Sequence, residues 1–160
     1  GFGDVITPEP LWIEYPTILD EDNPRIRAYT LESSIAEKYQ AMVNLDMANS
    51  RMKDFYDIYF LSANRSFKGS DIQRAIIETF DRRETEIPTE LPTALTETFS
   101  EDDTKVKQWN AFIGKIDDEQ LPKKLSTIVD RVKAFLWPVT LSTQEENEFA
   151  KIWKPTEGWN

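Results

Sequence analysis

The sequence predicts a mainly α fold with a small N-terminal β portion. Beyond Thr30 the apolar residues recur at the three-and-four spacing of a helical face, whereas before it they sit in short extended runs broken by glycine and proline. The length, 160 residues, suits one domain or one domain with an extension. A chain of this size buries roughly two-thirds of the surface it would expose unfolded, so it can build a real core. The reading divides it into residues 1–30, the C-terminal remnant of a sheet, and residues 31–160, a helical domain.

Gly1 to Thr7 reads as a β-strand met partway along, with glycines where backbones approach closely. Leu11 to Tyr15 is a second extended piece, Leu19 to Pro24 an acidic turn, and Ile26 to Tyr29 a third short strand. Three short strands make a marginal sheet by themselves. The expectation is therefore a fragment whose sheet continues upstream, with an open edge near residues 1–30 that favours pairing with a second copy.

From Leu31 to Leu45, Ile35, Ala36, Tyr39, Met42 and Val43 mark one face of a helix. Met47 to Ser50 makes a turn with Ser50 as N-cap. The next helix carries Met52, Phe55, Tyr56, Tyr59 and Phe60 as its apolar stripe, which makes Tyr56 a core position. Gly69 breaks the chain, and Ser70 or Asp71 caps a third helix that faces Ile72, Ala75, Ile76, Thr79 and Phe80 inward. A polar loop, Glu84 to Pro92, leads to a short helix over 93–99 and a longer one over 101–116. Pro122 opens a further helix in its first turn, which buries Leu125, Ile128, Val129, Val132, Phe135 and Leu136 and ends before Pro138. A last short helix is expected over 143–153.

Composition excludes several chemistries. The chain has no Cys and no His, which removes disulfides, thiolate nucleophiles, imidazole bases and sulfur or imidazole metal ligands. Any metal would be oxygen-held: magnesium, calcium or manganese. The net charge is -10, from 19 Lys+Arg against 29 Asp+Glu, which argues against a large basic nucleic-acid surface but leaves room for a small basic pocket. No apolar run approaches the ~20 residues that span a bilayer, and the start lacks a signal-peptide pattern. The expected setting is cytoplasmic, with no membrane contact.

Chemistry concentrates in Glu37-Lys38 and in Asn49-Ser50-Arg51-Met52-Lys53-Asp54-Phe55-Tyr56-Asp57. Lys38 lies ~11 Å before the end of its helix, and Asp54 and Asp57 lie ~6 and ~10 Å along the next, at 1.5 Å per residue. Helices joined by a short turn pack antiparallel, so the lysine can share a cleft with the carboxylates. A lysine beside oxygen ligands suits a polyphosphate. The plainer reading of the same charges is a solvated face: Arg51–Asp54 and Lys53–Asp57 have the spacing of ordinary helical ion pairs, worth tenths of a kcal/mol. Asp20-Glu21-Asp22 and Glu101-Asp102-Asp103 read as a solvated turn and a helix N-terminus, where negative charge is favoured.

The blocks Gly1-Phe2-Gly3-Asp4, Tyr15-Pro16-Thr17-Ile18-Leu19-Asp20, Tyr29-Thr30-Leu31-Glu32, Ala36-Glu37-Lys38 and Asn49 to Ile58 resemble the AbiEii/AbiGii toxin-type nucleotidyltransferases, which are similar to DNA-polymerase-β-type enzymes. The resemblance is clearest over residues 1–85. It implies a sheet carrying a Gly-Ser phosphate motif and an Asp-x-Asp metal pair, followed by a helical domain. It also implies transfer of a nucleotide from a nucleoside triphosphate, with Mg2+, to an acceptor such as RNA, by the toxin of a toxin–antitoxin or phage-defence pair.

Carried over by position, Lys38 is the lysine near the triphosphate and Asp54 the essential downstream carboxylate, with Asp57 second. Arg51 and Lys53 join Lys38 in binding substrate. No Gly-Ser followed at a suitable distance by Asp-x-Asp precedes Lys38, so the expectation is that magnesium ligands lie upstream and that residues 1–160 are inactive alone. The alternative from another class is a helical interaction module, without catalysis, that binds a protein such as a cognate antitoxin.

Overall fold

The computed structural model describes residues 11–14, 25–28 and 30–160. The strand expected over Gly1 to Thr7, the acidic turn and the open edge near residues 1–30 lie outside them. The first two strands, β1 (Leu11–Glu14) and β2 (Arg25–Ala28), pair antiparallel with Leu11 opposite Ala28 and Glu14 opposite Arg25. Six helices follow among the described residues, so the fold is mainly α with little β, as the sequence predicts.

Helix α1 (Leu31–Leu45) starts where Thr30 caps it: the Thr30 hydroxyl oxygen accepts from the Ser33 amide at 3.1 Å. Its buried face is Ile35, Ala36, Tyr39 and Met42, with Val43 half-buried. A 3-10 turn over Asp46–Ala48 leads into α2 (Met52–Asn64). Ser50 does not cap this helix. The side-chain oxygen of Asn49 accepts from the Arg51 amide at 2.8 Å instead.

The buried face of α2 is also narrower than its apolar residues suggest. Met52, Phe55 and Ile58 are buried, Tyr56 and Tyr59 are half-buried, and Phe60 is 46% exposed. Tyr56 is therefore not the core position its place in the stripe predicts.

Helix α3 (Gly69–Arg82) begins directly at Gly69, preceded by the two-residue strand β3 (Phe67–Lys68), and neither Ser70 nor Asp71 caps it. Its inward residues are the expected Ile72, Ala75, Ile76, Thr79 and Phe80. A 3-10 turn over Thr93–Leu95 and the short α4 (Glu97–Ser100) bring Phe99 onto Phe55, the rings stacked at 5.3 Å. Helix α5 (Asp103–Ile113) is capped by Asp102, whose carboxylate accepts from the Lys105 amide at 3.0 Å.

Helix α6 (Leu125–Ser142) corrects the expectation at both ends. Pro122 lies before it, and it runs through Pro138 rather than stopping there. Proline removes a helical hydrogen bond, but the turn beyond it completely buries Val139 and Thr140, and burial offsets that loss.

The segment over 143–153 is not helical. It leads instead to strands β4 (Ile152–Lys154) and β5 (Gly158–Trp159), which form the antiparallel sheet β3-β4-β5. Helix α1 packs chiefly on α3 and α2 on α6, and together they enclose one hydrophobic core. No helix among the described residues is long and apolar enough to cross a membrane.

Candidate functional site

The polar site forms where α1 and α2 meet, and apolar residues elsewhere on each helix hold it in place. Ile35, Tyr39 and Met42 anchor α1, which leaves Lys38 on the flank with its side chain 23% exposed. The entrance to α2 is fixed from α5. Lys105 is only 5% exposed, and its ammonium donates to the carbonyl of the fully buried Asn49 at 2.7 Å. The same ammonium lies 5.4 Å from the centre of the Phe99 ring, within cation–π range. Asn49 in turn holds the amide of Arg51, so a buried lysine on one helix sets the first turn of another.

That first turn carries the carboxylates. The Lys38 ammonium lies 3.5 Å from Asp54 Oδ1 and 3.1 Å from Asp57 Oδ2. Arg51 Nε is 2.9 Å from Asp54 Oδ2, and Lys53 donates to Asp57 Oδ2 at 2.8 Å. All five residues singled out from the sequence, Lys38, Arg51, Lys53, Asp54 and Asp57, thus form one cluster. The hydrogen bond from Lys53 to Asp57, and secondarily the charge of that carboxylate, raise the Lys53 ammonium above its ordinary value.

Asp54 is 4% exposed, yet its Oδ2 has no aligned hydrogen-bond donor among the described residues. Arg51 is close to it but off the hydrogen-bond line. Charge holds this carboxylate, and a lone pair remains for another group.

Two hollows flank the cluster. The first, of about 400 Å³, runs along α1 and is bordered by Ser33, Ser34, Lys38, Asn44, Arg51 and Arg83. The second, of about 500 Å³, lies between α2 and α5, and Arg51 borders both. The first combines hydroxyls with cations, the donor set that an anionic phosphate chain requires.

Sequence reasoning missed the clamp on the other side of this hollow. Glu37 Oε1 pairs with Arg82, and its Oε2 accepts from Arg83 Nε at 2.7 Å. It also missed the tie between Lys105 and Asn49. The adjacent arginines at the end of α3 were a signal in so acidic a chain. Lys105 shares the α5 face of Trp109 and Phe112, four and seven residues on, but the sequence does not announce its partner Asn49.

The residues suit an oxygen-held metal poorly. No group of three acidic side chains that could hold one occurs among the described residues, and the oxygens of Asp54 and Asp57 face Lys38, Arg51 and Lys53.

Comparison with known proteins identifies the chain. The family model described as Nucleotidyl transferase AbiEii toxin, Type IV TA system, matches residues 1–135. Neither a curated protein nor a solved structure matches it. The family match covers most of the chain and reaches well beyond residue 85, into α6. The chain belongs to the AbiEii nucleotidyl transferase toxin family.

Proposed function

We propose that this AbiEii-family chain supplies the lysine and aspartate side of a site that transfers a nucleotide from a nucleoside triphosphate to an acceptor, with RNA the favoured acceptor. Lys38 lies against the triphosphate, where its ammonium offsets the negative charge that builds as the leaving phosphates depart. Arg51 and Lys53 hold substrate phosphates. Asp54 is the essential carboxylate, with Asp57 the second choice. In this reading residues 1–30 are the C-terminal remnant of a nucleotidyltransferase sheet and 31–160 the helical domain. The cellular setting is the cytoplasm. An antitoxin protein is the cognate partner, and β1 and β2 offer the edge through which two copies would pair.

Family resemblance brings Mg2+ to the reaction. The described residues do not fit that ion, because both aspartates are engaged by cations. The role of Lys38 and Arg51 is therefore derived from charge alone.

The observation that carries the reading is the meeting of Lys38 with Asp54 and Asp57 beside a hollow bordered by hydroxyls and arginines. The test measures transfer of a labelled nucleotide alongside thermal unfolding in the full-length protein. Lys38→Ala should lower transfer by about 100-fold or more with little change in unfolding temperature. Asp54→Asn should behave likewise. Phe55→Ala, at a fully buried ring, should instead cost stability, about 3–5 kcal/mol. Near-wild-type transfer by Lys38→Ala would leave the cluster as an ion-pair network.

A further inference from the structure

The hollow between α2 and α5 is not needed to explain the phosphate-binding cluster, yet it opens beside it. Arg51, Lys53, Asp54, Gln108, Phe112 and Lys115 border it, and its volume of about 500 Å³ falls in the range of small-ligand sites. One wall is aromatic. Phe112 is half-buried, with its ring held by Trp109 at 5.6 Å and by the edge of Tyr56 at 5.8 Å. Trp109 is itself fully buried, and its indole N–H donates to the Lys123 carbonyl. The wall is therefore rigid. Beside it, the side-chain oxygen of Gln108 is buried and has no hydrogen-bond partner among the described residues. A buried acceptor left unpaired is costly, and a ligand that donates to it would remove that cost. Lys115 is exposed, and Lys53, exposed and hydrogen-bonded to Asp57 at 2.8 Å, adds a second ammonium at the rim that a phosphate can share.

An aromatic surface, an amide with an unused acceptor and flanking ammoniums together match one ligand chemistry. Bases stack on aromatic rings, a glutamine amide pairs in two points with a base edge, and lysines take the attached phosphate. We infer that the α2/α5 cleft is a nucleobase subsite: Phe112 is its stacking wall, Gln108 reads the base edge, and Lys53 and Lys115 hold the phosphate. Two sources could supply the base, the donor triphosphate or the terminal nucleotide of the acceptor. The choice between them rests on the transfer reading above, whereas the subsite itself does not.

The experiment separates the two. The protein, labelled with nitrogen-15, is titrated with AMP, CMP, GMP, UMP and, as a probe without a base, ribose 5-phosphate. The Gln108 side-chain amide and the Trp109 indole resonances should shift saturably with at least one monophosphate and not with ribose 5-phosphate. Gln108→Leu should weaken the preferred monophosphate by about ten-fold and level the differences among the four. Lys115→Ala, at an exposed position where folding is not at stake, should weaken all four alike. Equal shifts with ribose 5-phosphate, or unchanged selectivity in Gln108→Leu, would overturn the subsite.

In the transfer assay, a changed preference among the four triphosphates in Gln108→Leu assigns the donor base. A changed preference among oligonucleotides with different 3′ ends assigns the acceptor base. Should wild-type protein transfer nothing, the transfer reading fails while the titration still decides the subsite.

Discussion

Asp54 and Lys105 are both charged and both nearly excluded from water, yet different contacts keep them there. Asp54 sits between the cations of Lys38 and Arg51, whereas Lys105 rests on the Asn49 carbonyl and the Phe99 ring. The first arrangement was legible in the sequence, because Lys38, Asp54 and Asp57 lie on helices joined by a short turn and rise per residue places them level. The second was not, because Lys105 and Asn49 are 56 residues apart and only tertiary packing brings them together. Tyr39 is a third buried polar group, fully enclosed by the core and hydrogen-bonded to Thr140 at 3.0 Å. Burial pushes its hydroxyl up to about 12, with the Thr140 hydrogen bond a smaller opposing effect. Between the ordinary tyrosine value of about 10 and that figure, the unfolded chain loses this proton and the folded chain keeps it. Folding stability is then complete below pH 10 and falls as pH rises through the window, by about 1.4 kcal/mol per pH unit for one such group. Urea unfolding at pH 9, 10 and 11 should show wild type losing stability faster than Tyr39→Phe. Parallel losses in the two proteins would place the hydroxyl in contact with water.

At the scale of elements, α1 and α3 were legible because their apolar residues follow the helical period without interruption and tertiary contacts agree with it. The segment over 143–153 was not. Its helical pattern was short, and Ile152–Lys154 gains more by pairing with Phe67–Lys68, a partner the local sequence does not announce. The apolar stripe of α2 also overstated burial, since pattern marks what can be buried and not which ring finds a neighbour. Gly69 shows how tightly the late strand is seated. Its amide donates to the Lys151 carbonyl at 2.8 Å, and an added Cβ would stand 2.3 Å from the Phe149 ring and 2.8 Å from the carbonyl oxygens of Phe149 and Lys151. The ring could turn aside, but backbone oxygens can yield only if the strand shifts. Gly69→Ala should therefore destabilise by about 1–3 kcal/mol, the usual cost of overpacking, although alanine is the better helix former. Chemical denaturation reads this directly, and a stabilised Gly69→Ala would mean that β4 is not held against α3 in solution.

Across the whole molecule, the C-terminal strands close a fold whose family match ends earlier, at residue 135. Trp153 joins three elements: its indole N–H donates to the Ser62 carbonyl on α2 at 2.7 Å, its ring meets Phe135 of α6 edge-on at 4.9 Å, and its backbone pairs with β3. Arg131 of α6 covers the same indole at 5.1 Å and donates to the carbonyls of Ser62 and Pro155. Removing the Trp153 side chain would empty a buried volume, leave the Ser62 carbonyl without the indole donor and take the ring from under the Arg131 guanidinium. Such large-to-small changes cost about 3–5 kcal/mol, which for a chain of this size lowers the unfolding temperature by roughly 10 °C. The consequence distinguishes a closing strap from a loosely attached tail. If the strands are part of one cooperative core, Trp153→Ala should unfold in a single transition at the lower temperature, with helical and aromatic circular-dichroism signals moving together. The Lys38–Asp54 cluster lies on other faces of α1 and α2, so the protein that stays folded should bind nucleotide as wild type does. An early aromatic transition followed by helix loss at the wild-type temperature would instead make the strands a separate, weaker unit, and the helices alone would then carry the stability of the site.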